Sequence, residues 1–181
     1  MSIRMGIFLA CLPFITSAHN LTLHQAPPAV AVTSQGELLL MQDQLSARPW
    51  QLSDGQGKVR LVQHIAGRSS AKELNAPLIE AIKAAQLPRD HYQTVTIINV
   101  DDALFGTSGF VRSSAESSKR EFPWSSIVVD NKGEVAQKWQ LTARSSAIIL
   151  LDKEGRVLFT KEGALAGEQI KDVLKLIQTA L

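Results

Sequence analysis

Ser69 and Lys72 stand three residues apart in Arg68-Ser-Ser-Ala-Lys72, the spacing of an S-x-x-K nucleophile motif. At a helix start that spacing puts both side chains on one face. A neutral lysine there could take the serine proton, and free first-turn amides could bind an oxyanion. The reaction would be that of a hydrolase or an acyltransferase. The S-D-N and K-T-G companions of penicillin-recognising enzymes are missing, and Lys161-Glu-Gly163 is only a poor echo. The plainer reading is a helix start carrying a solvated lysine.

A second chemistry is anion binding. Arg68 and the amides of residues 70–72, Ser70 and Lys72 included, could hold a small anion, with Arg112 adding a second positive contact. Alternatively, both arginines are surface groups or pair with Asp101 or Asp102. His64 falls inside an apolar strand, where a hydrogen-bonded core histidine is expected. His19 is a metal candidate only as a mature N-terminus, where its amine and ring could chelate copper. Nothing in the spacing links it to His24 or His91, so no metal or other cofactor is otherwise expected.

Redox thiol chemistry is excluded on composition. The sole cysteine, Cys11, lies in Met5-Gly-Ile-Phe-Leu-Ala-Cys-Leu-Pro-Phe-Ile15, an apolar stretch between Arg4 and Thr16-Ser-Ala18. That order is a secretory signal, so residues 1–18 are expected to be a signal peptide and 19–181 a periplasmic domain. Loss of the signal removes the cysteine, and a serine hydroxyl cannot replace a thiolate in disulfide exchange. The remaining 18 basic side chains (19 less Arg4) face 17 acidic ones, a formal charge of +1. This balance leaves no footprint for nucleic acid. No apolar run in 19–181 approaches the ~20 residues of a membrane span.

The elements that must position these residues are legible in outline. Val30–Thr33, Ser34-Gln-Gly36 and Glu37–Leu40 read as strand, turn and strand, and the polar stretch 42–57 as a loop. Val59–Ala66 is a mostly apolar run suited to a buried central strand. Ser70 and Glu73 read as a capping box, and Leu74, Leu78, Ala81, Ile82 and Ala85 as one helical face that Pro77 kinks. A strand at Thr94–Val100 and a helix over Val111–Glu121 follow. Ser126–Asp130, Ala147–Leu151 and Arg156–Phe159 read as strands, the last two joined through Asp152-Lys-Glu-Gly155. Ile170, Val173, Leu174, Ile177 and Leu181 mark a closing helix. Trp50, Trp124 and Trp139 are assigned to the core or to loop packing. The order predicts an α/β sandwich: a mixed central sheet flanked by helices, with an N-terminal β-hairpin extension.

Gly57-Lys-Val-Arg-Leu-Val-Gln-His-Ile-Ala66 and Ala147-Ile-Ile-Leu-Leu-Asp-Lys-Glu-Gly-Arg-Val157 resemble the strand leading to the active site and the later hairpin of thioredoxin-like proteins. In that register Ser69 and Lys72 take the two cysteine positions of C-x-x-C. Pro77 matches the kink proline, eight residues after Ser69, and Ser146 takes the cis-proline position. A closer resemblance rests on His64-Ile-Ala-Gly-Arg-Ser-Ser-Ala-Lys-Glu73, Phe110-Val-Arg-Ser-Ser114, Ser145-Ser146 and Leu151-Asp-Lys-Glu-Gly-Arg-Val157. On these the chain is identified as a member of the YtfJ family of proteobacterial secreted proteins. The resemblance implies a thioredoxin-like fold and a periplasmic address, and no established activity. Two functions stay open. One is a non-catalytic module in which Arg68–Lys72, Ser145 and Ser146 contact a periplasmic protein, a peptide or a small anion. The other is a Ser69–Lys72 hydrolase or acyltransferase.

Overall fold

The computed structural model describes residues 19–181, so the expected signal segment lies outside the described residues. Seven strands form one sheet in the order β2-β1-β5-β4-β3-β6-β7. The elements are β1 (Ala31–Met41), β2 (Gln44–Gln51), β3 (Val59–Ala66), α1 (Ser69–Glu73), α2 (Ala76–Ala84), β4 (Tyr92–Asn99) and α3 (Ser108–Glu121). They continue as β5 (Ser126–Asp130), α4 (Glu134–Trp139), β6 (Ser146–Leu151), β7 (Val157–Glu162) and α5 (Gly167–Ala180).

The near-continuous apolar run makes β3 the centre of the sheet, buried along its whole length. It pairs in parallel with β4 and antiparallel with β6, His64 lying between Ile97 and Ala147. β5 continues the parallel set beside β4, and the β1–β2 hairpin extends that edge. The sheet is therefore mixed, as expected. From β3 to β4 to β5 the crossovers step in one direction, and right-handed crossovers then place their helices on one face. The cores agree. Leu78 and Ile82 of α2 and Val173 and Ile177 of α5 pack on Leu61 and Leu150. Ala115 of α3 packs on Ile127 and Val129 on that side. The opposite face buries Val135 and Trp139 of α4 with Val62, Ile97, Val128 and Trp50. Trp124, by contrast, is half exposed and carries the Arg89 guanidinium 3.9 Å from its ring centroid.

The N-terminal hairpin is present, but its turn is not at Gly36. β1 runs straight through that residue, and the reversal comes at Gln42-Asp43, whose φ values of 49° and 63° are those of a two-residue hairpin turn. Much of the stretch read as a loop over 42–57 is therefore β2. Gly36 instead serves a bulge: the register passes from Val32↔Trp50 to Glu37↔Arg48. Pro49 sits opposite that bulge on the edge strand, where its missing N–H costs no ladder bond. At φ 90° a Cβ on Gly36 would lie 2.0 Å from the Arg48 carbonyl oxygen. Gly36→Ala should therefore cost at least about 2 kcal/mol, or roughly 5 °C in a thermal melt. A melt within about 1 °C of the native protein would contradict this role.

The helix after β3 also departs from expectation. It begins at Ser69 with Arg68 as cap residue and no side-chain capping bond, so Ser70 and Glu73 form no capping box. It stops after one turn. Pro77 lies in the first turn of a separate helix, α2, where a missing N–H costs nothing, and it kinks no continuous helix. Upstream of α3, the helix extends back to Ser108. The short helix α4 carries no amphipathic signature and escapes periodicity analysis. Asp130, fully buried, makes it: Oδ1 accepts from the Lys132 and Glu134 amides and Oδ2 from Val135.

Candidate functional site

The carboxyl ends of the parallel strands β3 and β4 bring three loops together at Asp102. The Arg68 guanidinium pairs with Asp102 Oδ1 at 3.1 Å, and its Nε donates to the Asp102 carbonyl at 2.8 Å. Asp102 Oδ2 accepts the Arg144 amide, at a residue with φ 60°. The carboxylate thus ties the β3–α1 loop to the β4–α3 loop and to the segment before β6. Gly67 completes the join: its N–H donates to the Asn99 carbonyl at 2.8 Å, and a Cβ there would sit 2.9 Å from that oxygen.

Of the two pairing partners considered for Arg68, Asp102 is the one observed. The amides of Ala71 and Lys72 both donate to the Arg68 carbonyl, so two of the three expected to cradle an anion are already committed. Arg112 donates from Nε to Asn131 Oδ1 at 3.0 Å, on the loop after β5. Ser69, Ser70 and Lys72 are exposed on α1, and none of their side chains hydrogen-bonds within the described residues. The Ser69–Lys72 hydroxyl–amine contact that a serine nucleophile requires is not made.

Ser145 and Ser146 differ in their roles. The Ser145 carbonyl accepts the Ala66 amide at 3.0 Å, which fixes the chain beside the end of β3. Ser146 is buried as the first residue of β6, and there is no cis peptide bond among the described residues. Its Oγ faces Asn75 Nδ2 at 3.1 Å. Asn75 also donates to the Gly163 carbonyl at 3.0 Å and accepts the Leu165 amide at 3.1 Å. This buried amide holds the α1–α2 junction against β6 and the approach to α5. It went unnoticed in the sequence, although an Asn two residues before a proline is a helix-start signal.

Behind the loops lies His64, 3% exposed. The core position is as expected, but the hydrogen bond is not: Nε2 is buried without a partner among the described residues. Burial lowers its pKa to about 4, only partly offset by the Asp102 carboxylate. His64 is therefore a neutral core group at ordinary pH. His19 has both ring nitrogens engaged, Nδ1 by the Leu21 amide at 3.3 Å and Nε2 by Thr160 Oγ1 at 3.4 Å.

The β4–α3 connection, tied to Arg68 through Asp102, exposes large apolar side chains. The segment that begins at Asp102 carries Leu104, 55% exposed, and Phe105, fully exposed, and Phe110 in the first turn of α3 is 80% exposed. Asp101 and Asp102, ahead of these side chains in the chain, line a groove of about 500 Å³ with Asn99, Gly133, Gln137 and Thr142. Sequence pattern alone did not single out these aromatics, because nothing in periodicity tells a bare phenylalanine from a buried one.

Three central parallel strands flanked by antiparallel ones, with a loop and helix at the carboxyl end of β3, define the thioredoxin-like fold. The backbone matches the thioredoxin domain of thiol-disulfide oxidoreductase BVU-2223 from Bacteroides vulgatus with a TM-score of 0.56 at 16% identity, over 87% of this chain and 98% of that one. At that identity the likeness concerns the fold alone. The chain belongs to the family described as "Bacterial protein of unknown function (YtfJ_HI0045)", whose model matches residues 21–180. It is 50% identical to the uncharacterized protein YtfJ of Escherichia coli (strain K12), over the full length of both chains. An uncharacterized protein of Haemophilus influenzae (strain ATCC 51907 / DSM 11121 / KW20 / Rd) is 46% identical over 90% of this chain and 88% of its own.

Proposed function

We propose that residues 1–18 direct export and that the 19–181 domain serves in the periplasm as a non-catalytic interaction module. Its thioredoxin-like end binds an apolar segment of a peptide or protein. One observation carries this reading: Leu104, Phe105 and Phe110 are bare on the segment that the Arg68–Asp102 pair fastens to α1. Large apolar groups exposed within one short stretch of chain point to an interaction surface. The chemistry at the cysteine-equivalent positions supports it by contrast. Ser69 has no base in contact, and Arg68 is neutralised by Asp102, so neither a nucleophile nor a strong anion cradle competes for the surface.

Among the described residues no helix is long and apolar enough to cross a membrane. A photo-crosslinking side chain at Phe105 should give a discrete adduct in living cells, and the same partner should be captured from Ser70. A control at Lys175, exposed on α5, should give none. Identical adducts from all three positions, or none from Phe105 and Ser70, would reject the proposal.

A further inference from the structure

At the other end of β3 lies a second concavity that the thioredoxin-like site does not use. Arg60, the second residue of the central strand, is 2% exposed and lines a cavity of about 400 Å³. Its neighbours are mostly apolar or small: Pro27, Ala29, Val30, Leu52 and Gly155. The guanidinium is only half satisfied. Nη1 donates to the carbonyls of Leu52 and, at 3.1 Å, Asp54. Nε is buried with no partner, and Nη2 makes no hydrogen bond within the described residues. No carboxylate of the described residues lies within ion-pairing distance of Arg60.

The two nearest acidic residues are spoken for. Asp54 Oδ2 accepts the Gln51 amide, and Asp152 takes the Arg156 amide and Nε. Glu154, on the cavity rim, is paired with Arg156 Nη2 at 3.1 Å. A buried guanidinium that makes no ion pair, with only the more distant charges of Asp152 and Asp54 to offset it, is costly, and removing its charge is not an option at biological pH. Nε is shut off from the cavity, so the bond open to a ligand is that of Nη2, which a carboxylate can take as a charge-assisted hydrogen bond. Gly155 keeps Nη2 clear, since a Cβ there would sit 3.2 Å from it.

We infer that this cavity is a binding site for a small carboxylate with an apolar body, its carboxylate seated on Arg60 Nη2 and its body against Pro27, Ala29, Val30 and Leu52. The volume is in the range of small-molecule pockets. Arg60 also serves as a strap, pinning the 52–54 turn through its Nη1 bonds. The unpartnered Nη2 is what a strap does not require.

The test is a nitrogen-detected NMR titration of the purified protein with octanoate, N-acetyl-leucinate and octanamide. Octanoate or N-acetyl-leucinate should move the Gly155 and Leu52 amides and the Arg60 Nε signal along a saturable curve. Which of the two binds more tightly tells whether the natural ligand is of acyl-chain or peptide type. Octanamide has the same body without the charge and should bind at least about tenfold more weakly. Arg60→Met should remove the response. Because that variant also cuts the strap, Ala29→Trp, which fills the cavity from an exposed position, should remove it independently. No saturable response to either acid, equal binding of octanamide, or undiminished binding by Ala29→Trp would overturn the assignment.

Discussion

Replacing Asn75 by alanine should destabilise the protein by about 3 kcal/mol, although the residue is neither charged nor apolar. Its amide makes three bonds that nothing else can supply: to Ser146 Oγ, to the Gly163 carbonyl and from the Leu165 amide. Asn75 is 1% exposed, so water cannot replace the lost partners at the native geometry. Asn75→Asp separates the bonds. A carboxylate still accepts from Leu165 but cannot donate to Gly163, so it should recover only part of the loss. Denaturant unfolding and hydrogen exchange at the Leu165 amide report on the two effects. A native-like midpoint for Asn75→Ala would mean that the junction between α1 and α2 is held by packing instead.

The second large effect is acid sensitivity set by His64. The folded protein holds this imidazole neutral down to about pH 4, whereas an unfolded chain protonates near 6.5. The unfolded state therefore binds more protons between those values, and stability falls as the pH is lowered through that window. Above the unfolded pKa the term vanishes, and below the folded pKa it levels off at about 3 kcal/mol. Between pH 7 and pH 5 it amounts to about 2 kcal/mol. His64→Leu should remove this pH-dependent component. It should also be more stable than the native protein at neutral pH, because the buried unpartnered Nε2 is gone. Parallel pH profiles for the two proteins would show that another group governs the acid response.

Legibility in the sequence followed the physics of each element. β3 was plain because a strand covered on both faces must be apolar throughout, and Val59–Ala66 is nearly so. The hairpin was found but its turn misplaced. Gly36 has the conformation of a turn residue and is used for a bulge, while the true turn is built from Gln42 and Asp43, which carry no glycine signal. α4 was invisible because six residues are too few for periodicity, and its start is fixed by Asp130 from the preceding strand. The capping box failed because side-chain capping requires a particular backbone entry, and the helix enters two residues earlier, at Arg68 rather than Ser70.

The candidate site divided in the same manner. Arg68, Ser69, Ser70 and Lys72 were identifiable from their place after β3. Their relation to Asp102, across thirty-four residues, was one of two alternatives until the loops were seen together. Ser146 could be placed by register, but not its partnership with Asn75. The exposure of Phe105 and Phe110 is a property of three-dimensional packing. It turns a cysteine-free thioredoxin-like end from a list of polar residues into an apolar surface.

Whether that surface is the working one is decided by crosslinking from Lys72 in cells, with and without Phe105→Ser and Phe110→Ser. Both aromatics are exposed, so the double variant should fold as the native protein does. If the aromatics and α1 form one binding face, the adduct seen from Lys72 disappears in the double variant at equal protein level. An adduct of unchanged yield and identity would contradict it.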